Sequence, residues 1–294
     1  MNIIVLGAGA IGSLYGAKLS RHNDVVLIGR KEHVGIINKG GLKVNGLEDK
    51  TYYLKAAAKV KKIDDNTLIL LTTKVQDSAK AINGIKRLIK KNTTILCLQN
   101  GLYSEDIVKR ILRKKCLVLR AITNVDAVFL EPGIVNYNGR SYTLIEKSSK
   151  SGELAGNFRN SGLDCNVSDD IKADMWKKLI LNCVLNPLTA ILRAENKAIA
   201  DENLNPLKKL IADECLKVAR KDGIGFNIGF VKKMNEGIKN SRNLSSMLQD
   251  LMKGKKTEID YLNGAVANLG RKYKTECPAN EILARIIKEM ENVA

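Results

Sequence analysis

Lys178, Asn182 and Asn186 recur at i, i+4 and i+8 within residues 175–190. Read as a helix at about 100° per residue they form one row, flanked by Met175, Leu181, Leu185 and Leu188. An ammonium and two amides set where water is scarce need hydrogen-bonding partners, either other side chains or a ligand. An ammonium so held can stabilise negative charge growing on an oxygen and deliver its proton. Pro187 removes a backbone donor beside Asn186 and releases an upstream carbonyl, which bends the helix there. The bland alternative is a solvated stripe on an amphipathic helix, and on these residues alone the two readings stand level.

A second candidate lies at the start of the chain. The apolar run Asn2 to Leu6 ends in Gly7-Ala8-Gly9-Ala10-Ile11-Gly12, and a helical pattern follows from Ser13. Strand, glycine turn and helix in that order are the context a dinucleotide fold requires. Gly7 permits the tight turn, Gly9 lets the backbone approach a pyrophosphate, and Gly12 lets helix pack on strand, with the phosphate at the helix N-terminus. The next strand, Asp24 to Ile28, ends in Gly29-Arg30-Lys31. An Arg at this strand end accommodates a 2′-phosphate and favours NADP, whereas Glu32, two positions on, leaves NADH open.

Two later strands, Leu68 to Leu71 and Thr94 to Leu98, carry Lys74 with Gln76 and Asn100 just past their carboxyl ends, where ligands of such sheets bind. A solvated lysine and an Asn turn are the ordinary explanations of these positions. Further on, Ser246 and Glu258 flank the basic loop Met252-Lys253-Gly254-Lys255-Lys256 and meet only if the chain bends at Gly254. Thr257 is the expected helix N-cap, and Glu258 has a bland dipole explanation there.

The elements that must position these residues divide into two kinds. Strands alternate with helices up to Asp169-Asp170, and Ala127 to Leu130, Ile134 to Tyr137 and Tyr142 to Ile145 read as antiparallel strands joined at Glu131-Pro132-Gly133. From Asp174 onward only helical patterns occur, including one from Thr257 to Tyr273. The expectation is an α/β Rossmann-type N-terminal domain over 1–169 and an all-helical C-terminal domain over 170–294.

The formal charge of the 294 residues is +18, with Lys plus Arg 49 and Asp plus Glu 31. The basic residues are dispersed and aromatics are only 4%, which argues against base-stacking platforms and leaves anionic small molecules or a plain lysine-rich surface. Six cysteines show no C-x-x-C pair, and His22 and His33 are the only histidines, so no metal site is expected. No apolar run is long enough for a membrane span, and no leader pattern opens at Met1, so a cytoplasmic protein is expected.

The combined motifs are the glycine turn, Gln99-Asn100-Gly101, Trp176-Lys177-Lys178-Leu179 through Asn186-Pro187-Leu188-Thr189-Ala190, Ser245-Ser246-Met247-Leu248-Gln249-Asp250, and Thr257-Glu258-Ile259-Asp260-Tyr261-Leu262-Asn263-Gly264. In this order the chain resembles the ketopantoate reductase (2-dehydropantoate 2-reductase) family over nearly its whole length. The resemblance implies NADPH-dependent reduction of ketopantoate to pantoate, a step toward coenzyme A. It implies Lys178 as general acid, Glu258 as its acidic partner near substrate and cofactor, and Asn100 orienting both Lys178 and the nicotinamide side of the cofactor. Asn182, Asn186 and Ser246, with Asn243 nearby, would bind the hydroxyl and carboxylate of the substrate, and Arg30 and Lys74 would face the 2′-phosphate. The segment around Lys74 is one residue shorter before Gln76 than the family form, which weakens the carry-over of Gln76. A homodimer through the helical domain is expected, with no nucleic-acid or membrane partner.

Two rivals remain at this level. One is a related dehydrogenase of another small 2-oxo or 3-hydroxy acid, because fold does not fix substrate. The other is an NADP-sensing regulator that binds nucleic acid through the +18 charge, for which the Lys/Asn/Asn/Ser/Glu set has no use.

Overall fold

The computed structural model describes residues 1–139, 142–225 and 229–293. The chain divides into two compact units, Met1–Gln99 with Tyr103–Ile171, and Asn100–Leu102 with Lys172–Ala294.

The first unit holds the strands β1 (Asn2–Leu6), β2 (Asp24–Ile28), β3 (Leu42–Gly46), β4 (Lys50–Tyr52), β5 (Lys55–Ala57), β6 (Leu68–Leu71), β7 (Thr94–Cys97), β8 (Leu117–Thr123), β9 (Asp126–Glu131), β10 (Ile134–Gly139), β11 (Thr143–Ile145) and β12 (Cys165–Val167). Its helices are α1 (Ala10–Leu19), α2 (Lys31–Gly40), α3 (Ser78–Ile85), α4 (Ser104–Leu112) and α5 (Ser151–Asn160). The main sheet runs β12-β11-β8-β7-β6-β1-β2-β5. From β5 to β8 all neighbours are parallel, which is the doubly wound order 3-2-1-4-5-6 with its switch point beside β1.

Strands so placed are buried on both faces, which is why β6 and β7 are continuous buried runs. Alternation still sorts the side chains. Ile3 and Val5 join Leu14, Tyr15 and Phe158 on one face, and Ile4 and Leu6 join Ile82, Ile85 and Val108 on the other.

The antiparallel region departs from expectation. β9 and β10 form the hairpin at Glu131-Pro132-Gly133, but they belong to a separate sheet, β4-β3-β10-β9. Thr143–Ile145 is not their neighbour: it runs antiparallel to β8 and parallel to β12 in the main sheet. The reason is burial, since Thr143 and Ile145 are fully buried, and Thr143 Oγ1 meets the buried Tyr15 hydroxyl at 2.6 Å.

The second unit contains α6 (Ile171–Leu192), α7 (Asn205–Lys221), α8 (Phe230–Ile238), α9 (Ser246–Met252), α10 (Asn263–Lys272) and α11 (Pro278–Val293). Among the described residues it has no strand. The helix expected over Thr257 to Tyr273 is broken: Ile259–Tyr261 is a single 3-10 turn, Leu262 has φ −109° and ψ −105°, and α10 begins only at Asn263. The cause lies elsewhere in the chain, because the Leu102 N–H bonds the Tyr261 carbonyl at 3.1 Å and draws it out of a regular helix. Among the described residues no helix is long and apolar enough to cross a membrane.

Candidate active site

The glycine turn sits at the switch point of the main sheet. Gly7 has φ +119°, and a Cβ there would lie 2.5 Å from the Thr73 nitrogen. A Cβ at Gly12 would meet the Gly7 carbonyl oxygen at 2.1 Å and Thr72 Oγ1 at 2.6 Å. The Thr72 hydroxyl in turn donates to the Gly7 carbonyl at 2.8 Å. Gly9 differs, because no protein atom lies within 4 Å of where its Cβ would stand. Packing therefore demands glycine at 7 and 12 and leaves the space beside Gly9 open. Gly9 is also the N-cap of α1 and supplies no side-chain acceptor to the first-turn amides at Ala10 and Ile11, and no acidic residue stands in that turn. Such an end suits a pyrophosphate.

Around this turn, Arg30 is exposed and caps α2 with extended backbone, Lys31 is exposed beside it, and Glu32 lies in the first turn of α2. That position gives Glu32 a helix-dipole explanation independent of any ribose. Lys74 is half-buried and opens the 3-10 turn Val75–Asp77, one residue after the Thr73 that presses on Gly7. Ala8 and Ile11 are half-buried within the turn.

Several supporting contacts join residues far apart in sequence. A Cβ at Gly29 would strike the Ala8 methyl at 2.8 Å, so the strand end beneath the turn must also be glycine. The Gln99 side-chain nitrogen donates to the Thr73 carbonyl at 2.8 Å and to Ser78 Oγ at 2.6 Å. The buried Arg120 guanidinium donates to the Gln99 carbonyl at 2.7 Å, to Ser104 Oγ, and to Glu105 at 3.0 Å. One cation thus holds the chain where it leaves Gln99 and where α4 begins, the two ends of the segment that carries Asn100. Only the motif Gln99-Asn100-Gly101 hinted at this, since its partners are distant in sequence.

In the second unit, the Lys178 row lies on α6 and sinks along its length: Lys178 and Asn182 are half-buried and Asn186 is 5% exposed. Met175 and Leu181 are half-buried, and Leu185 and Leu188 are buried, which removes the reading of a solvated stripe at the Asn186 end. Pro187 lies inside the helix as expected.

Two connections bring distant residues to the helical unit's polar groups. Asn100 Nδ2 approaches Glu258 Oε2 at 3.5 Å, the outer limit of a hydrogen bond. Gly101, φ +74°, lies so close to the Tyr261 carbonyl that a Cβ would come within 2.4 Å. Asn100 is thus seated on the turn that carries Glu258, in the same unit as Lys178. Thr257 is not the N-cap expected of it, because only a 3-10 turn with Glu258 at its N-cap follows; its hydroxyl accepts from Ile259 N–H at 3.2 Å and donates to Glu291 of α11 at 2.6 Å.

Ser246 is exposed at the first residue of α9. Its neighbour Ser245 is buried, caps Leu248 N–H at 3.2 Å and lies 2.7 Å from Thr189 Oγ1 of α6. That contact brings the start of α9 to the Asn186 turn, because the Thr189 hydroxyl is also 3.0 Å from the Asn186 carbonyl oxygen. Asn243 is exposed, and its carbonyl accepts from Asn196 N–H at 2.9 Å.

A glycine turn at the switch point of a parallel sheet, joined in one chain to a helical unit bearing a lysine and asparagine row, defines a two-domain oxidoreductase of the Rossmann class. The comparisons give the particular family. Residues 3–150 match the family "Ketopantoate reductase PanE/ApbA", and residues 170–291 match "Ketopantoate reductase PanE/ApbA C terminal". The 2-dehydropantoate 2-reductase of Pyrococcus horikoshii is 36% identical, with 100% of this chain and 98% of that protein covered. A ketopantoate reductase from Ralstonia eutropha has a crystal structure that superposes with TM-score 0.91 at 30% identity, covering 99% of each chain. D-mandelate dehydrogenase, solved with NADH and anilino(oxo)acetate, superposes equally well, with TM-score 0.91, 30% identity, and 100% and 99% of the two chains covered. The chain belongs to the ketopantoate reductase family.

Proposed function

We propose that this protein reduces the ketone of 2-dehydropantoate to pantoate with NADPH, in coenzyme A biosynthesis. The observation that carries the reading is the seating of Asn100 on the Glu258 turn, within the unit that holds the Lys178 row. Residues 1–169 act as the NADP-binding domain and 170–294 as the substrate-binding domain.

The open Cβ direction at Gly9 and the uncapped start of α1 fit a dinucleotide, held by Gly7, Ala8, Gly9, Ala10, Ile11 and Gly12. Arg30 and Lys74 bind the 2′-phosphate, a preference supported by the dipole explanation of Glu32. A bound nicotinamide dinucleotide supplies the hydride. Lys178 meets the charge that grows on the ketone oxygen and donates its proton there. Glu258 is the acidic partner of Lys178 at the substrate, and Asn100 orients Lys178 and the nicotinamide side. Asn182, Asn186 and Ser246, with Asn243 at the margin, bind the substrate's hydroxyl and carboxylate. The protein works in the cytoplasm as a homodimer, for which the exposed Leu207, Leu210, Ile282 and Ile286 of α7 and α11 provide apolar surface.

A second reading is favoured by the likeness to D-mandelate dehydrogenase: an NAD-dependent dehydrogenase of another 2-hydroxy acid. Oxidation of NADPH and of NADH is followed with 2-dehydropantoate, pyruvate and 2-oxoisovalerate, alongside D-mandelate with NAD. The highest kcat/KM is expected with NADPH and 2-dehydropantoate. A higher value with D-mandelate or another 2-oxo acid replaces the substrate assignment, and equal use of NADH replaces the cofactor assignment.

A further inference from the structure

Pro187 leaves a definite gap in α6. In a helix each N–H bonds the carbonyl four residues earlier, so the donor that Pro187 lacks would have served Cys183. Cys183 is fully buried, and a carbonyl left unpaired there is costly. Asn263, the first residue of α10 and fully buried, donates from Nδ2 to that carbonyl at 2.9 Å. The same nitrogen also donates to Asn280 Oδ1 at 3.0 Å.

The orientation of this amide is forced by what lies behind it. Glu214 of α7 accepts the Ala279 and Asn280 backbone N–H groups at 2.9 and 3.0 Å and the Asn280 side-chain nitrogen at 2.7 Å. With its nitrogen taken by a carboxylate, Asn280 must present its oxygen to Asn263, and Asn263 must then be the donor. Glu214 and Asn280 are themselves buried. The bond therefore joins α6 next to Asn182 to a residue five positions after Glu258, just past the break at Leu262.

We infer that Asn263 is a positioning residue of the reaction: its amide replaces the donor missing at Pro187 and so sets the Glu258 turn against α6 at the level of Asn182. The inference rests on the reading of Lys178 and Glu258 given above. It assigns a purpose to the proline, whose released carbonyl is the docking point for the strand of chain that brings in Glu258.

The test compares Asn263→Ala, Pro187→Ala and the double variant in the full-length enzyme, with Lys178→Ala as control. Alanine at 187 restores an N–H that can take the Cys183 carbonyl. Asn263→Ala is expected to lower kcat about tenfold or more, a size typical of slight misplacement of catalytic groups. In the Pro187→Ala background the same change should cost no more than about threefold, because the two residues act on one carbonyl. The pH limbs of kcat should move in Asn263→Ala and return in the double variant, whereas loss of folded enzyme alone lowers the melting temperature without moving them. Strictly multiplicative effects, a kcat for Asn263→Ala within about twofold of the parent, or a lower melting temperature with unmoved limbs overturns the inference. Should Asn263→Ala fail to accumulate as folded protein, recovery of folded enzyme in the double variant with the pH limbs of the parent supports the inference, and failure of both variants or recovery with displaced limbs overturns it. Near-normal turnover by Lys178→Ala defeats the underlying reading and the inference with it. An inactive Lys178→Ala with multiplicative effects at 187 and 263 removes the inference alone.

Discussion

The glycine turn of the first unit is one unbroken stretch, Gly7 to Gly12, whereas the polar set of the second unit is gathered from Asn100, α6, the start of α9 and the Glu258 turn. The turn is held by shape: added methyl groups at Gly7 and Gly12 would collide with backbone atoms at 2.5 and 2.1 Å. The helical set is held by hydrogen bonds between residues far apart in sequence, such as Asn100 with Glu258, 158 positions away. A contiguous site depends on local backbone geometry and a gathered one on the bonds that bring its parts together, so the two should fail differently.

The largest effect is expected in the gathered half. Lys178→Ala should lower kcat by about two orders of magnitude or more, the usual contribution of a general acid, with the far-ultraviolet circular dichroism unchanged. Turnover within a few-fold of the parent would mean that the row on α6 is structural and that the comparison sets a site against a scaffold.

The next effect separates cofactors. Arg30→Ala should raise KM for NADPH roughly tenfold to a hundredfold, the loss of a charged hydrogen-bonding partner, and leave KM for NADH nearly unchanged. Equal losses for both cofactors would show that Arg30 acts on a part common to the two dinucleotides.

Within the turn itself, Gly12→Ala and Gly9→Ala should behave as opposites. Gly12→Ala forces backbone apart and should destabilise by about 1–3 kcal/mol, read as a fall in melting temperature. Gly9→Ala meets no protein atom, so its stability cost stays below about 1 kcal/mol and its main effect is weaker binding of the dinucleotide. Unchanged cofactor affinity in Gly9→Ala would remove the ligand explanation of that glycine.

The same contrast explains what could be read without coordinates. The glycine turn, the alternation of strands and helices in the first unit and the helical second unit follow from patterns within a dozen residues, where periodicity and glycine placement act directly, whereas the order of the strands depends on pairings that no local pattern contains. The row on α6 was visible because it lies on one helix. Its anchoring was not: Asn263 serves Cys183 from 80 residues away and Ser245 meets Thr189 from 56 away. Arg120 had the pattern of an ordinary strand residue, yet its guanidinium is buried and ties down both ends of the Asn100 segment. The break before α10 was illegible for the same reason, since the Tyr261 carbonyl is claimed by Leu102, and no local rule foretells a partner so distant.

The helix that follows the locally legible turn is tied down by long-range bonds, and these give the smallest and most specific effect. Ser13 of α1 lies 3.1 Å from His33 Nε2 of α2, and the Gly133 N–H at the β9–β10 corner donates to His33 Nδ1 at 2.8 Å. Because Gly133 can only donate, Nδ1 must be unprotonated, and the neutral ring then carries its proton on Nε2 and donates to Ser13. Burial against Phe129, ring centroids 5.0 Å apart, pushes the His33 pKa below its usual 6.5. The folded protein therefore binds fewer protons at this site than the unfolded chain once the pH drops toward 6.5. Stability is fully present above that value and declines as the pH falls to the folded pKa, with a slope of at most about 1.4 kcal/mol per pH unit for one group. Urea unfolding between pH 7.5 and 5 should show this slope, and His33→Gln, which can still donate and accept but cannot titrate there, should flatten it by up to one proton. An identical slope in parent and His33→Gln would show that the corner joining α1, α2 and the small sheet is insensitive to the ring's charge.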